Sequence, residues 1–464
     1  MAIGDGINTA PMARAARSPG LKLLVIIGLT ILMAVPLFLI QLSLSDREQT
    51  AEGAAADIAQ GYGGAQTVSG PLLLIPYSVQ RLETVDGKSV QTTQHFTAVL
   101  LPDDLNINVQ ADTETRSRGI FPVPVYRAAV DLRASFDKAA MASAFPAEAQ
   151  IDWKNATVAV LVTDARGLAD NVTLAVGGRN LPFEPGAGFT APANSLSPSG
   201  TPLSGMQARL NLTEAADLKL GTHVVLRGSR EFSLAPLGRR TVARIQSPWA
   251  SPSFFGAFLP DKRSIGQGGF TASWTVPYLA RGFGQAFTSK DEAVQAITPQ
   301  AFGARFYQPV DHYQLVQRAL KYAILFVALG FLVFFVAETV SRRRIHVVQY
   351  AMVGAAQVLF YLLLLSIAEH LGFALSYGIA AGATVLLTGL YAITALKSWW
   401  RALATAIVLA ALYGMLYVIL KSEDNALLTG SCVLFAALAG TMYFTRKIDW
   451  YHIADQIGAE PGGS

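Results

Sequence analysis

Two short segments hold the side chains best suited to chemistry. Glu369 and His370 close one apolar run, and Lys421, Ser422, Glu423, Asp424 and Asn425 separate two others. If folding brings these segments together, carboxylates, a hydroxyl and an imidazole meet, a set able to support acid–base catalysis, cation binding or docking. Loops at a membrane surface are also polar simply because they touch water, and spacing alone leaves both readings open. A second candidate is the tract SPWASPSFFGAFLP at Ser247–Pro260, where Trp249, Phe254, Phe255 and Phe258 are interspersed with prolines. Its rings could form a contact patch for lipid or peptide, but the preferred reading is that they plug a core under a rigid loop. Asp164 and Arg166 in TDARG, and Asp261, Lys262 and Arg263, are expected to be salt-bridged turns.

Other chemistries drop out on residue types. The six histidines never fall at metal-ligand spacing, and with Cys432 as the one cysteine no intrachain disulfide can form. No Walker A string occurs, so ATP-driven work would need a separate subunit. No metal or cofactor is expected.

The elements that must position these residues are membrane helices. Of 464 residues, 52% are hydrophobic and 15% charged, against about 25% charged in a soluble domain. Mean hydropathy is +0.37. Six runs reach the roughly 20 apolar residues that cross about 30 Å of hydrocarbon: Leu23–Leu44, Tyr322–Val340, Val347–Ala368, Phe373–Leu396, Ala402–Leu420 and Ala426–Phe444. The first reads as an uncleaved anchor, because its apolar core exceeds the roughly 7–15 residues of a signal peptide. The fold class is therefore a polytopic α-helical membrane protein with a large, mainly antiparallel β domain between the first and second spans. Residues 1–22 and 446–464 become tails, 45–318 the β domain and 319–445 a five-helix bundle.

Orientation follows from Lys and Arg near the span ends, which are enriched on the cytoplasmic side. Residues 45–318 carry 24 basic and 24 acidic side chains and are neutral. Of the remaining twelve basic residues, ten share one face: Arg14, Arg17, Lys22, Arg342, Arg343, Arg344, Lys397, Arg401, Arg446 and Lys447. Only Lys321 and Lys421 lie opposite. Both termini are thus expected in the cytoplasm and the β domain outside it, which in a Gram-negative cell means the periplasm, with Trp399, Trp400, Trp450 and Tyr451 at the inner boundary. The net charge of +4 is a topology signal and implies no nucleic-acid partner.

Beyond the first span, Ser45–Tyr62 reads as a polar extension of the same helix, stopped at Gly61, Gly63 and Gly64. The period then changes to that of strands over Thr67–Tyr77, His95–Leu101, Val123–Phe136, Thr157–Thr163, Val172–Val176, Met206–Leu212, His223–Arg227, Thr241–Ile245, Phe270–Val276 and Phe302–Tyr307. Helices are expected at Phe136–Ala144, capped by Ser135, and at Asp291–Ile297. A seam between two smaller β units is expected at Pro192–Gly205 if the domain divides.

No span has an ionisable group in its central part, which disfavours a proton or ion relay. Glu338, near a span end, is expected to pair with Arg342. Gly378 with Gly382, and Ala436 with Gly440, give small-residue faces read as packing inside the bundle, dimerisation being the other use.

Strings along the whole chain resemble the CreD family of bacterial inner-membrane proteins. They include SGPLLLIP at Ser69–Pro76, LPDDL at Leu101–Leu105, RGIFPVPVY at Arg118–Tyr126, TDARG at Thr163–Gly167 and GFTASW at Gly269–Trp274. PVDHYQLVQRALKYAILF at Pro309–Phe326, FYLLLLSIAEHLGF at Phe360–Phe373, LKSEDNALLTGS at Leu420–Ser431 and TRKIDWY at Thr445–Tyr451 continue the likeness. Where that family has a His-Pro-x-Gln-Tyr pattern, His346 is followed here by Val347. The resemblance implies an inner-membrane protein of envelope integrity, with members tied to a two-component regulon and to envelope-stress or β-lactam responses. It brings no established catalytic residue.

The expected function is non-enzymatic. The periplasmic domain contacts another envelope component, and the loops at Glu369, His370, Ser422, Glu423 and Asp424 couple that domain to the bundle. The lipid bilayer, a periplasmic or membrane protein and a second copy of the chain are the candidate partners. Two alternatives are a permease or exporter subunit working with an ATPase, and a membrane-embedded hydrolase or transferase using Glu369, His370 and the facing carboxylates.

Overall fold

The computed structural model describes residues 19–85, 88–187, 204–289, 297–306, 312–341, 345–422 and 426–446. They fall into two compact units, one of Met1–Thr50 with Val310–Ser464 and one of Ala51–Pro309.

Helix α1 contributes to both units. It runs unbroken from Pro19 to Tyr62, with Pro36 inside it, so the expected anchor and its polar extension are one element. It stops where Gly63 takes a φ of +113° while its N–H still reaches the Ala59 carbonyl at 2.9 Å. That conformation is costly for any residue with a Cβ.

In the β unit the strands are β1 Gln66–Val85, β2 Lys88–Leu100, β3 Asp104–Arg118 and β4 Phe121–Phe136. After helix α2, Lys138–Ser143, come β5 Gln150–Ile151, β6 Thr157–Val162, β7 Thr173–Val176, β8 Arg179–Pro182, β9 Glu184–Pro185, β10 Ser204–Arg209 and β11 Leu218–Ser229. Then follow β12 Glu231–Leu234, β13 Arg240–Ser247, β14 Pro252–Gly256, β15 Lys262–Gly266, β16 Gly269–Pro277, β17 Ala286–Thr288 and β18 Phe302–Phe306. One sheet has the order β14-β18-β12-β1-β6-β10-β9, with β2, β5 and β17 attached; the other is β15-β16-β13-β3-β4-β11-β7-β8. Pairing is antiparallel except β1 with β12 and β13 with β3.

Alternate side chains of each sheet point inward, as along β3 (Leu105, Ile107, Val109, Ala111) and β11. They join the large apolar residues of the first sheet, Leu72, Leu74, Val160 and Phe232, in a single hydrophobic core. The domain is therefore one unit. The expected seam at Pro192–Gly205 lies almost wholly outside the described residues, as does the expected helix at Asp291–Ile297 apart from Ile297. The helix expected at Phe136–Ala144 is shorter and differently capped. Ser135 remains in the ladder opposite Asp104 and Lys219, Phe136 ends β4, and Asp137 caps α2 by accepting from the Ala140 N–H at 2.9 Å.

The helical unit contains α3 His312–Ser341, α4 Val347–Leu371, α5 Phe373–Leu396 and α6 Trp399–Lys421, each long and apolar enough to cross a membrane, as is α1. A further apolar helix, α7, spans Ala426–Thr445, with a shorter apolar stretch, Leu428–Tyr443. Helix α3 starts about three turns before its expected span because Tyr313, Val316 and Ala319 are buried against the bundle.

The small-residue faces behave differently from the expectation. A Cβ added at Gly378, Gly382 or Gly440 would meet nothing within 4 Å, so these residues line open grooves instead of helix crossings. Close approach occurs at Gly354, where a Cβ would strike the Phe331 ring at 2.6 Å, and at Gly330, which makes room for the buried amide of Gln357.

Candidate functional site

The carboxylate singled out at the end of the third expected span is held in place. Glu369 sits in the last turn of α4 with its side chain 9% exposed. The Tyr313 hydroxyl, from the first turn of α3, donates to its Oε1 at 3.0 Å, and the Arg47 guanidinium of α1 lies 3.7 Å from the same oxygen. One carboxylate thus ties three helices. Its neighbour His370 is exposed. Ser422 caps α6: its hydroxyl donates to the Val418 carbonyl at 2.9 Å, and its own carbonyl accepts from Arg318 of α3 at 3.1 Å. Both segments are therefore fastened to the start of α3. Glu423 and Asp424 lie outside the described residues.

At the other end of α3 stands a second polar cluster. Glu338 does not take the expected partner; Arg342 lies outside the described residues, and the carboxylate binds Lys22 of α1. The Lys22 ammonium also donates to the Ile345 carbonyl at 2.9 Å. The Ile345 N–H donates to Glu338 Oε1 at 3.0 Å, and the Tyr350 hydroxyl to Oε2 at 2.8 Å. A charge at a membrane boundary is tolerable when its lone pairs are filled in this way.

The His346–Tyr350 string has a clear local reason. His346 caps α4 by accepting from the Val348 N–H, and the Gln349 side chain returns to the His346 N–H at 2.9 Å, a reciprocal capping box. Val347 occupies the first helical position, where proline is also favoured because that N–H has no intrahelical partner. Valine there loses no backbone bond.

In the β unit, TDARG closes the region where α1 ends. The Thr163 hydroxyl accepts from the Thr67 N–H at 3.0 Å. Asp164 accepts from Arg166 through the backbone N–H (3.0 Å), Nε (2.9 Å) and Nη2 (2.9 Å). Gln66, 1% exposed, donates to the carbonyls of Asp164 and Arg227 and accepts from the Asp164 N–H. The last turns of α1 join this region: Asp57 pairs with Arg118 at 3.0 Å, and the Tyr62 ring lies under Arg116 and Arg227. Burial alone would raise the Asp164 carboxyl, but the hydrogen bonds and charge of Arg166 outweigh it and hold it below its ordinary 3.8. A carboxylate lowered in this way adds stability above pH 3.8 that is lost as pH falls through its folded value. Asp164→Asn should therefore flatten the acid limb of the stability curve of the β unit below about pH 4, as read by tryptophan fluorescence; an unchanged limb would contradict the assignment.

Asp261 accepts from the Thr275 N–H at 2.7 Å, whereas Lys262 and Arg263 lie exposed on the edge strand β15, so these three form no joint charged site. The aromatic tract faces largely inward. Trp249 meets Phe306 edge-on, Phe254 packs between Phe270 and Trp274, and Phe258 lies against Phe302. Phe255 lies beneath Arg305. Among the described residues no His, Cys, Asp and Glu group has metal-site geometry.

Lys22, Arg47, Gln66, Tyr313 and Tyr350 were not apparent as site residues in the sequence, because each partner is distant along the chain or on another helix.

With this geometry in place, comparison with known proteins adds two findings. The family described as Inner membrane protein CreD matches residues 18–451. A protein of Escherichia coli (strain K12), Inner membrane protein CreD, is 34% identical over 441 residues, covering 93% of each chain.

Proposed function

We propose, from the premise that this chain belongs to the CreD family of inner membrane proteins, that it is a non-enzymatic component of envelope maintenance. In this reading the β unit is periplasmic, both termini are cytoplasmic, six helices cross the membrane, and the β unit meets another envelope component.

The observation that carries the reading is helix α1. Lys22 and Arg47 fasten it within the helical unit, and Asp57 and Tyr62 fasten it within the β unit. Such an element suits a membrane-held binding domain. The carboxylate Glu369, already shared between Tyr313 and Arg47, suits a strut joining helices better than a general base awaiting substrate. His370, Ser422, Glu423 and Asp424 would then shape the surface through which the β unit is coupled to the membrane helices.

The test is photo-crosslinking in intact cells from the exposed side chains Leu259 and Leu279. A discrete adduct with an envelope protein is expected. A reporter fused after Ser464 should be active only in the cytoplasm. Activity only on export would overturn the topology, and the absence of any adduct would overturn the partner.

A further inference from the structure

We propose that the groove between α3, α6 and α7 binds an anionic phospholipid, its acyl chain along the groove and its phosphate on Arg401. The groove has a volume of about 500 Å³, within the roughly 300–1,000 Å³ of small-molecule sites. Its wall is apolar, including Leu329, Val336 and Val340 of α3, Val408 of α6 and Ala437 and Gly440 of α7. One charged residue lines it, Arg401, in the first turn of α6.

Charge selects the occupant. Arg401 donates a long bond, 3.4 Å, to the Ser341 carbonyl, which holds the side chain at the groove's end. It has no carboxylate partner among the described residues. A guanidinium carries five N–H donors in a planar fork that matches phosphate oxygens. It also stands at the positive end of a helix whose N-cap, Ser398, makes no side-chain cap bond. Cationic pockets between membrane helices at the headgroup level recruit anionic lipids in this way.

Length selects the same occupant. The groove follows about 17 Å of α3 from Leu329 to Val340 and about 21 Å of α6 from Arg401, at its headgroup end, to Met415, somewhat more than half of the roughly 30 Å hydrocarbon core. That is close to the depth of one leaflet, which an acyl chain fills and a crossing helix exceeds. The groove between α5 and α6 makes the contrast. Its lining runs from Ala374 to Ile393, about 28 Å of helix, and includes no charged side chain. Nothing on it selects a lipid headgroup. The proposal needs the membrane helices alone and stands apart from the placement of the β unit.

Native mass spectrometry of the detergent-purified full chain, titrated with phosphatidylglycerol or phosphatidylethanolamine, tests the site. Phosphatidylglycerol should be retained preferentially by the parent chain. Arg401→Gln should weaken its retention at least about fivefold, and Arg401→Lys, which keeps the charge but loses the planar fork, should fall between that variant and the parent. Gly440→Leu, which fills open space in the groove, should weaken retention while leaving the guanidinium in place. Equal retention of both lipids, or unchanged selectivity in Arg401→Gln, would overturn the proposal. Competition by inorganic phosphate or glycerol 3-phosphate as effective as that by the lipid would also overturn it, by showing an anion site in which the groove takes no part. Circular dichroism of each variant separates lost binding from lost folding.

Discussion

Glu338→Ala should destabilise the helical unit by about 2–4 kcal/mol. Removing one partner of a buried ion pair typically costs about 3–5 kcal/mol because the other charge is left without compensation. The lower range applies here because the Lys22 side chain is 24% exposed and can turn its ammonium toward the headgroups. Three donors lose their acceptor together: Lys22 Nζ, the Ile345 N–H and the Tyr350 hydroxyl. The phenol and the amide are buried and cannot recover a bond from water. Lys22→Met should cost less, since Glu338 keeps two donors. The double replacement Lys22→Met with Glu338→Leu should recover much of the loss, as apolar substitutes for buried ion pairs often do. Midpoints of thermal unfolding in one detergent, followed by circular dichroism, give the comparison. A Glu338→Ala midpoint within error of the parent would show that the carboxylate does not hold α1 to α3 and α4.

What could be read from the sequence was whatever repeats locally. Strand β4 was legible because Val123–Phe136 opens on an apolar stretch and then alternates Ala128, Val130, Leu132, Ala134 and Phe136 with polar residues such as Arg127, Asp131 and Arg133. Strand β3 was hidden, although Leu105, Ile107, Val109 and Ala111 alternate inward, because its last residues run on past the core as exposed, charged side chains. Strand β15 is exposed along its whole length and exists through its pairing with β16, so no burial pattern marks it. The same limit governs the polar clusters. Arg342 was the near candidate for Glu338, but Lys22 stands 316 residues away in the chain, and only the packing of α1 against α3 brings it there. Small-residue spacing at Gly378 and Gly382 likewise cannot tell an inner helix face from an open groove, since both need the same absent Cβ.

Gln66→Leu should have the largest effect on the β unit, about 3–5 kcal/mol. Gln66 opens β1 three residues after the glycine that ends α1, and its amide performs three tasks. Nε2 donates to the carbonyls of Asp164 and Arg227, each at 3.1 Å, and Oε1 accepts from the Asp164 N–H at 3.2 Å. Leucine keeps the volume but removes every one of these bonds. Each buried group left unpaired costs about 1–3 kcal/mol, with the sum less than additive because the turn relaxes as one body. The site leaves little space for that relaxation. A Cβ on Gly167 would meet the Arg227 carbonyl oxygen at 2.5 Å, and one on Gly228 would meet the Tyr126 ring at 2.5 Å. Tyr126 is itself fixed, its hydroxyl donating to the Glu231 carbonyl at 2.6 Å, and burial pushes that phenol well above its ordinary value of 10. Loss of the Gln66 amide should therefore open the Thr163–Gly167 turn and loosen the grip on Tyr62 instead of shifting a single side chain. Hydrogen exchange of the full chain should show faster exchange across residues 163–168 and 225–229 while α3 to α6 keep their protection. Unchanged exchange at the Asp164 amide would mean that the turn holds itself, and that the end of α1 is secured without it, by the Asp57–Arg118 pair and the Tyr62 ring under Arg116.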